Sequence, residues 1–240
     1  MHLILDFGNT RAKFAVFDAG ALCQTGDIDS LPTLENELIK NYPTLDQVVF
    51  VDVSGNQTKA SIEQYFSLLK VFSMDDLELP FSSEYETPET LGQDRIALVA
   101  AAVAKFPNQN CLIIDAGSCI TYDLLTTKNT YLGGSISPGI KMRFESLHHF
   151  TGKLPLVSAT QDTPRVGKST KTAIESGVIH GIVHEIEGQI HYFSKKINPL
   201  TVILTGGDAQ LLSKSLKNTI FAESNFLAEG LDYLLNYNKN

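Results

Sequence analysis

Cysteine is scarce in this sequence, and the few cysteines present form no recognisable framework. The 240 residues contain three, Cys23, Cys111 and Cys119, which is an odd number without a CxxC pair. A disulfide scaffold is therefore not expected, and the reducing cytoplasm fits this composition best. The sequence also lacks any run of about 18 apolar residues, the length that a membrane-spanning helix requires. Its first residues enter an apolar strand pattern without a basic segment, so we expect no signal peptide.

Positive charge is the next deficit. Lysine and arginine number 19 against 27 aspartates and glutamates, which gives a net charge of -8. Such a surface repels phosphate backbones and anionic lipid, so neither a nucleic acid nor a membrane is an expected partner. An anionic ligand would need a local positive pocket. The hydrophobic content of 43% and the chain length suffice for one large domain or two compact ones.

The hydropathy pattern alternates between strands and helices. In the first half it predicts strands at residues 3–6, 12–18 and 46–52, and helices at 31–42, 60–69 and 89–106. The last helix ends before Pro107, where we place a boundary between domains 1–107 and 108–240. The second half predicts strands at 111–115, 120–125 and 202–204, a glycine-rich stretch at 131–139, and helices from about 140, at 170–193 and at 226–237.

Two strand-turn-strand segments resemble each other across this boundary. The segments LILDFGNT and LIIDAGSC share one register, with matches at Leu3/Leu112, Ile4/Ile113, Asp6/Asp115 and Gly8/Gly117. Chance similarity of two apolar strands is the alternative, because the shared pattern is short. An internal duplication predicts two related domains.

The first of these segments has the features of a phosphate-binding loop. Asp6 ends a predicted buried strand, and the turn Gly8-Asn9-Thr10 offers backbone N–H groups and a hydroxyl to an anion. The carboxylate can hold a hydrated cation, and Lys13 follows on the return strand. An ordinary hairpin turn is the alternative interpretation. The duplication, with a third glycine turn at Thr205, favours a nucleotide held between two related domains.

This arrangement is that of the actin-like ATPases and sugar kinases, and the sequence resembles the type III pantothenate kinases along essentially its whole length. Six segments support the resemblance, in the family's order: DFGNTRAK (6–13), LGQDR (91–95), IDAGSCITYD (114–123), GGSISPGIKM (133–142), STKTAIESG (169–177) and LTGGDA (204–209). It implies an α/β fold of two actin-like (ribonuclease H-like) domains with a nucleotide cleft. It also implies ATP-dependent phosphorylation of pantothenate, the first step towards coenzyme A.

The resemblance also implies roles for individual residues. The ATP-binding residues would be Asp6, Phe7, Gly8, Asn9, Thr10, Arg11, Ala12, Lys13 and Ser118. The pantothenate-binding residues would be Tyr85, Gly92, Gln93, Asp94, Arg95 and Thr170. Magnesium and a monovalent cation, potassium or ammonium, would serve the reaction, with the monovalent ion near Asp115. A homodimer is implied, whose second subunit helps to close the substrate pocket. The chain departs from the family's usual residues at Ser118-Cys119 and at Ser169.

Asp94 is the residue to which the resemblance assigns general-base catalysis. The chemistry is plausible for this pair, because the neighbouring Arg95 favours an ionised carboxylate that can accept the proton of an alcohol. The alternative is an exposed ion pair in the first turn of a helix, a common surface feature.

Other patterns suggest other chemistry with less support. The segment from Gly167 to Thr170 imitates the end of a P-loop, but that motif requires glycine at position 162, which is Asp162. His180, His184 and His191 have helical spacing, and His148-His149 form a pair, yet no HExxH motif occurs. The rival functions are a non-catalytic regulatory homologue and a kinase of another small alcohol. Retention of both loop aspartates and of Asp94-Arg95 argues against a regulator.

Overall fold

The computed structural model describes residues 1–160, 162–216 and 221–239, which form two compact units. The first unit contains Met1–Pro107, Asn129–Tyr131 and Asn225–Asn240, and the second contains Asn108–Lys128 and Leu132–Ser224. One division thus falls after Pro107. The C-terminal helix lies in the first unit, whereas the sequence analysis assigned all residues after 107 to one domain.

The described residues contain eleven strands and seven α-helices. The strands are β1 (His2–Phe7), β2 (Ala12–Asp18), β3 (Ala21–Asp27), β4 (Gln47–Asp52), β5 (Lys70–Phe72), β6 (Ser82–Ser83), β7 (Cys111–Ala116), β8 (Cys119–Leu125), β9 (Thr130–Pro138), β10 (Thr201–Thr205) and β11 (Phe221–Ala222). The helices are α1 (Leu31–Asn41), α2 (Lys59–Tyr65), α3 (Gln93–Lys105), α4 (Ile140–His149), α5 (Thr170–Lys196), α6 (Ala209–Ser213) and α7 (Phe226–Tyr237). No described helix is both long and apolar enough to cross a membrane.

The first unit is built on a five-stranded sheet in the order β3-β2-β1-β4-β5. Strand β1 pairs antiparallel with β2 and parallel with β4. Alternate side chains of β1 face opposite sides of this sheet. Leu3, Leu5 and Phe7 pack in one core with α1 and α2, and Ile4 packs in another with α3 and α7. Helices therefore cover both faces of the sheet. Because a shift of one residue would turn the side chains of β1 to the wrong faces, this packing fixes the register of β1 and with it the position of Asp6.

Helices α3 and α7 pack closely because small residues line their contact. A Cβ added to Gly230 would overlap the carbonyl group of Ala97, and Ala101 lies next to it. A salt bridge between Lys105 and Glu229 lies along the same contact. This packing holds the α3 helix, whose first turn contains Asp94, against the sheet.

The second unit repeats the strand arrangement of the first. Its sheet runs in the order β11-β10-β7-β8-β9. Strand β7 pairs antiparallel with β8 and parallel with β10, as β1 does with β2 and β4. Alternate residues of β7 and β8 pack against α4 and α5 in one large core. Both units thus contain the antiparallel hairpin that the duplicated sequence pattern predicted, and in both a further strand pairs in parallel with the first strand of the hairpin.

Some elements differ from the predicted ones for identifiable reasons. The helix predicted at 89–106 begins at Gln93, because Pro88–Thr90 form a separate 3-10 turn and Gly92 precedes the first helical residue. The glycine-rich stretch at 131–139 is largely strand β9, in which Gly133 has φ +94°. The start of β9 pairs in parallel with β6 inside the first unit, through Thr130 and Tyr131.

Candidate active site

The first phosphate loop joins β1 to β2. Asp6 stands directly opposite Lys13 in the antiparallel register. The connecting turn is closed by a hydrogen bond of 3.1 Å from the Gly8 N–H to the Arg11 carbonyl. A Cβ at Gly8 would meet the same carbonyl at 3.1 Å, so glycine suits this tight turn.

The residues of this loop differ in exposure. Asn9, Thr10 and Arg11 are exposed, whereas Phe7 is buried. The loop thus presents polar groups to solvent, while the buried ring of Phe7 precedes it. Ala12 begins the return strand.

Asp6 is a half-buried carboxyl group with two charged neighbours. Burial raises the pKa of Asp6 from 3.8 to about 6, the charge of Lys13 opposes this rise, and the charge of Asp94 adds to it. The α3 helix therefore brings Asp94 close enough to Asp6 for the two carboxylates to repel each other. Within the first unit, the LGQDR segment therefore lies near the first phosphate loop.

The start of α3 is shaped to present Asp94. A Cβ at position 92 would overlap the Oδ1 atom of Asp94, so Gly92 leaves room for this carboxylate. The same oxygen accepts a hydrogen bond of 2.8 Å from the Arg95 N–H. The Gln93 side-chain oxygen accepts a hydrogen bond of 3.3 Å from the backbone N–H of Asp52. Since Asp52 pairs with Phe7 in the sheet, Gln93 fastens the helix start beside the phosphate loop.

Arg95 lies in an aromatic pocket of the first unit. Its side chain is 4% exposed, and its guanidinium carbon lies 5.5 Å from the ring centre of Tyr85 and 5.9 Å from that of Tyr131. The two rings stack with centres 6.1 Å apart and planes at 23°. Such faces stabilise a cation. The interpretation of Asp94-Arg95 as an exposed ion pair is therefore wrong.

Tyr131 is a residue that sequence reasoning missed. It lies 46 positions after Tyr85 and is fully buried at the start of β9. Its segment was predicted only as a glycine-rich stretch. The pairing of β6 with β9 places Tyr131 in the first unit near Tyr85, because the Glu84 N–H donates to the Tyr131 carbonyl. Short parallel pairings of this kind have no local sequence signature.

The second loop joins β7 to β8, and Asp115 is the last residue but one of β7. Thr121 stands opposite it on β8, and Thr205 stands beside it on β10. The position that Lys13 occupies in the first loop is thus taken by an uncharged residue here. The glycine turn after β10 packs closely, because a Cβ at Gly206, where φ is +94°, would overlap the Asp115 carboxylate. Three strand ends therefore surround Asp115 in the second unit.

Ser118 occupies the tip of this loop. The Gly117 N–H closes the turn on the Cys119 carbonyl at 2.9 Å. The Ser118 carbonyl accepts a hydrogen bond of 3.1 Å from the Gly139 N–H, and a Cβ at Gly139 would overlap the carbonyl oxygens of Gly117 and Ser118. The end of β9 is thus pressed against the loop, at a position that only glycine fits.

Thr170, the remaining predicted substrate residue, is the exposed first residue of α5 in the second unit. Ser169 precedes it as the helix cap, accepting a hydrogen bond from the Thr172 N–H. No strand among the described residues leads into Gly167-Lys168, so this segment is a capped helix start, unlike a P-loop.

The described residues contain no group of three His, Cys, Asp or Glu side chains arranged to hold a metal ion. The histidine spacing on α5 therefore forms no zinc site within that part of the chain, and His184 instead contacts Arg165. Asp6 nevertheless suits a magnesium nucleotide, which typically takes one or two carboxylates together with phosphate oxygens. The burial that raises the pKa of Asp6 is also a cost that a bound cation would offset.

Comparison with known proteins adds independent findings. The family profile described as Type III pantothenate kinase matches residues 2–192. A Type III pantothenate kinase of Christiangramia forsetii is 48% identical over 244 residues, covering 100% of this chain and 99% of that protein.

Two solved structures are similar along their whole length. One, from Campylobacter jejuni, is titled a Baf family transcriptional activator, with a TM-score of 0.67, 22% identity and 98% coverage of both chains. The other, from Sinorhizobium meliloti, is titled a 2-dehydro-3-deoxygalactonokinase, with a TM-score of 0.59, 11% identity, and coverage of 99% of this chain and 97% of that one. At these identities the likeness concerns the fold alone, and it confirms the predicted actin-like kinase fold.

Proposed function

The chain belongs to the type III pantothenate kinase family, and from this premise we propose that it transfers the γ-phosphate of ATP to the hydroxyl of pantothenate. ATP and a divalent metal serve this reaction, and its product is 4'-phosphopantothenate. The observation on which the proposal chiefly rests is the position of α3 beside the phosphate loop, where Gln93 accepts from the N–H of Asp52, the residue that pairs with Phe7, and where the charge of Asp94 contributes to the raised pKa of Asp6. A carboxylate that can accept a proton thereby lies beside a phosphate loop, as transfer to an alcohol requires.

Asp94 is the proposed general base. Its carboxylate takes the hydroxyl proton as the oxygen of pantothenate bonds to the γ-phosphorus, and the bond from that phosphorus to the oxygen of ADP breaks. Gly92 supports this role, because its missing side chain leaves room for the carboxylate. Gln93 holds the helix start in place through the Asp52 N–H.

The remaining proposed site residues bind and orient. In the phosphate loop, the turn from Gly8 to Arg11 and the charge of Lys13 would meet the phosphates of ATP, with Ser118 contributing from the second loop. Tyr85 and the buried Arg95 would form the base of the pantothenate pocket, with Thr170 as a further contact. Phosphoryl transfer depends mainly on such positioning and on neutralisation of charge.

We assign a monovalent cation, potassium or ammonium, to Asp115. Two loop aspartates at one triphosphate would repel it without cations, and the residue opposite Asp115 is the uncharged Thr121. A weakly hydrated ion suits a loose site of one carboxylate and carbonyl oxygens, whereas magnesium demands a tight octahedron. In the competing assignment, Asp115 only stabilises its turn.

A homodimer in the cytoplasm completes the proposal. The second unit exposes large apolar side chains at Ile136, Phe150, Leu156 and Val166, a feature typical of association surfaces. The free cysteines of the chain fit a reducing compartment. Light scattering at working concentration tests the assembly, and a monomeric mass would contradict it.

A coupled assay of ADP release tests the activity itself. Purified protein with magnesium and ATP is expected to release ADP when pantothenate is added and to remain inactive with a panel of sugars. Release with a sugar alone would favour a kinase of another small alcohol. Absence of release with every compound would favour the non-catalytic regulator.

A further inference from the structure

A cluster of polar side chains lies behind the second loop and centres on Glu185. This residue belongs to α5, and its side chain is 27% exposed. One carboxylate oxygen accepts hydrogen bonds from the Tyr122 hydroxyl at 2.8 Å and from the Ser137 hydroxyl at 2.5 Å. The other accepts from the Arg143 guanidinium at 2.5 Å. Glu185 therefore joins side chains from β8, β9 and α4 at one point.

The cluster is electrostatically consistent with an ionised carboxylate. Burial alone would raise the pKa of Glu185, but the hydrogen bonds from Ser137, Arg143 and Tyr122 lower it below its ordinary value. For Tyr122, burial and then the bond to Glu185 raise the pKa, so its hydroxyl remains a donor. Hydrogen bonds to a charged partner are about twice as strong as neutral ones.

Arg143 extends this cluster to the nucleotide loop. While Nη2 binds Glu185, its Nε donates to the Pro138 carbonyl at 2.8 Å. The following residue, Gly139, donates its N–H to the Ser118 carbonyl and leaves no space for a side chain there. A continuous series of contacts thus runs from Glu185 through Arg143 and the end of β9 to Ser118.

We propose that Glu185 is a positioning residue for ATP binding, which acts by holding Arg143 and the Pro138-Gly139 turn against the Ser118 loop. The inference rests on the proposed nucleotide role of that loop. Glu185 itself touches neither substrate. Its loss frees the guanidinium and the end of β9, so the loop samples geometries that no longer fit the phosphates.

The test measures ATP binding directly, by calorimetry with magnesium and without turnover. Glu185→Gln keeps the size of the side chain but removes its charge and leaves one acceptor oxygen for the three donors of Tyr122, Ser137 and Arg143. Arg143→Lys keeps the charge but lacks the planar fork that reaches both Pro138 and Glu185. Each is expected to weaken ATP binding roughly 5- to 30-fold. The KM for pantothenate should change by less than about twofold, since the proposed residues of that pocket lie in the first unit, apart from Thr170 at the start of α5, fifteen residues before Glu185.

Glu145→Gln is the matched control, because Glu145 forms an exposed pair with Lys141 on the same α4 helix, at 3.7 Å. It should leave ATP binding unchanged. The double variant Glu185→Gln/Arg143→Lys should weaken binding no more than either single change, since both act through one contact. Two results would overturn the inference while leaving the proposed function in place. One is unaltered ATP affinity in folded Glu185→Gln and Arg143→Lys proteins. The other is a rise in the KM for pantothenate as large as the loss of ATP affinity. Failure of the wild type to bind ATP would overturn the proposed function as well.

Discussion

Replacing Asp6 by asparagine is expected to stabilise the ligand-free protein while destroying its use of ATP. The carboxyl group is half-buried near the end of β1, and this burial raises its pKa from 3.8 to about 6 despite the attraction of Lys13. A group whose pKa is raised by folding binds its proton more tightly in the folded state. Stability is therefore lost as the pH rises from the unfolded pKa through the folded one.

The size of the effect follows from the same shift. Full ionisation of Asp6 costs about 3 kcal/mol of folding free energy, on the scale of about 1.4 kcal/mol per pKa unit. An asparagine amide avoids this cost, although its own burial offsets part of the gain. We expect Asp6→Asn to be about 1–3 kcal/mol more stable than the wild type at neutral pH.

Urea denaturation followed by circular dichroism, without nucleotide or metal, measures this difference. The gap between variant and wild type should grow between about pH 4 and pH 6 and stay constant above about pH 7. Asp18→Asn, at the exposed far end of β2, is the control and should show no gain. An Asp6→Asn protein that is no more stable than the wild type at neutral pH, or a gap independent of pH, would refute the reasoning.

Three further outcomes follow from the site. Asp94→Asn should lower kcat at least ~10²-fold in steady-state kinetics while the fold is kept, and wild-type turnover would exclude Asp94 as the base. Tyr131→Leu should raise the KM for pantothenate several-fold while Tyr131→Phe, which keeps the ring beneath Arg95, should not; equal effects of both would contradict the aromatic role. Turnover should be faster in potassium or ammonium than in sodium, and Asp115→Asn should abolish the difference; equal rates for the wild type in all three salts would leave Asp115 a structural role.

Much of the fold could be predicted from the sequence because its signals are local. The hairpins at Asp6 and Asp115 combine apolar strands with a glycine turn, and both strands and turns are recognisable within a dozen residues. Helix α7 was predicted with its observed bounds, since its apolar residues recur at helical spacing. Strand β3 was missed because it is a mostly exposed edge strand with little apolar alternation.

The candidate site was predictable only in part. Asp6, Asp94 and Arg95 were predicted from contiguous motifs, and all three lie in the first unit, where the charge of Asp94 acts on Asp6. Tyr131 and Glu185 were not found, because each acts through partners many residues away that only the paired strands and packed helices bring close. Their residue types are ordinary in a core, so composition and spacing gave no indication of their contacts.

The most direct test of the central claim is the mass of pantothenate after incubation with the protein, magnesium and ATP. The account predicts that wild-type protein converts pantothenate to a species heavier by one phosphate, in step with ADP formation. It predicts that Asp94→Asn forms this product at least ~10²-fold more slowly although it still binds ATP. ADP formation without phosphorylated pantothenate, or unchanged product formation by Asp94→Asn, would contradict the account.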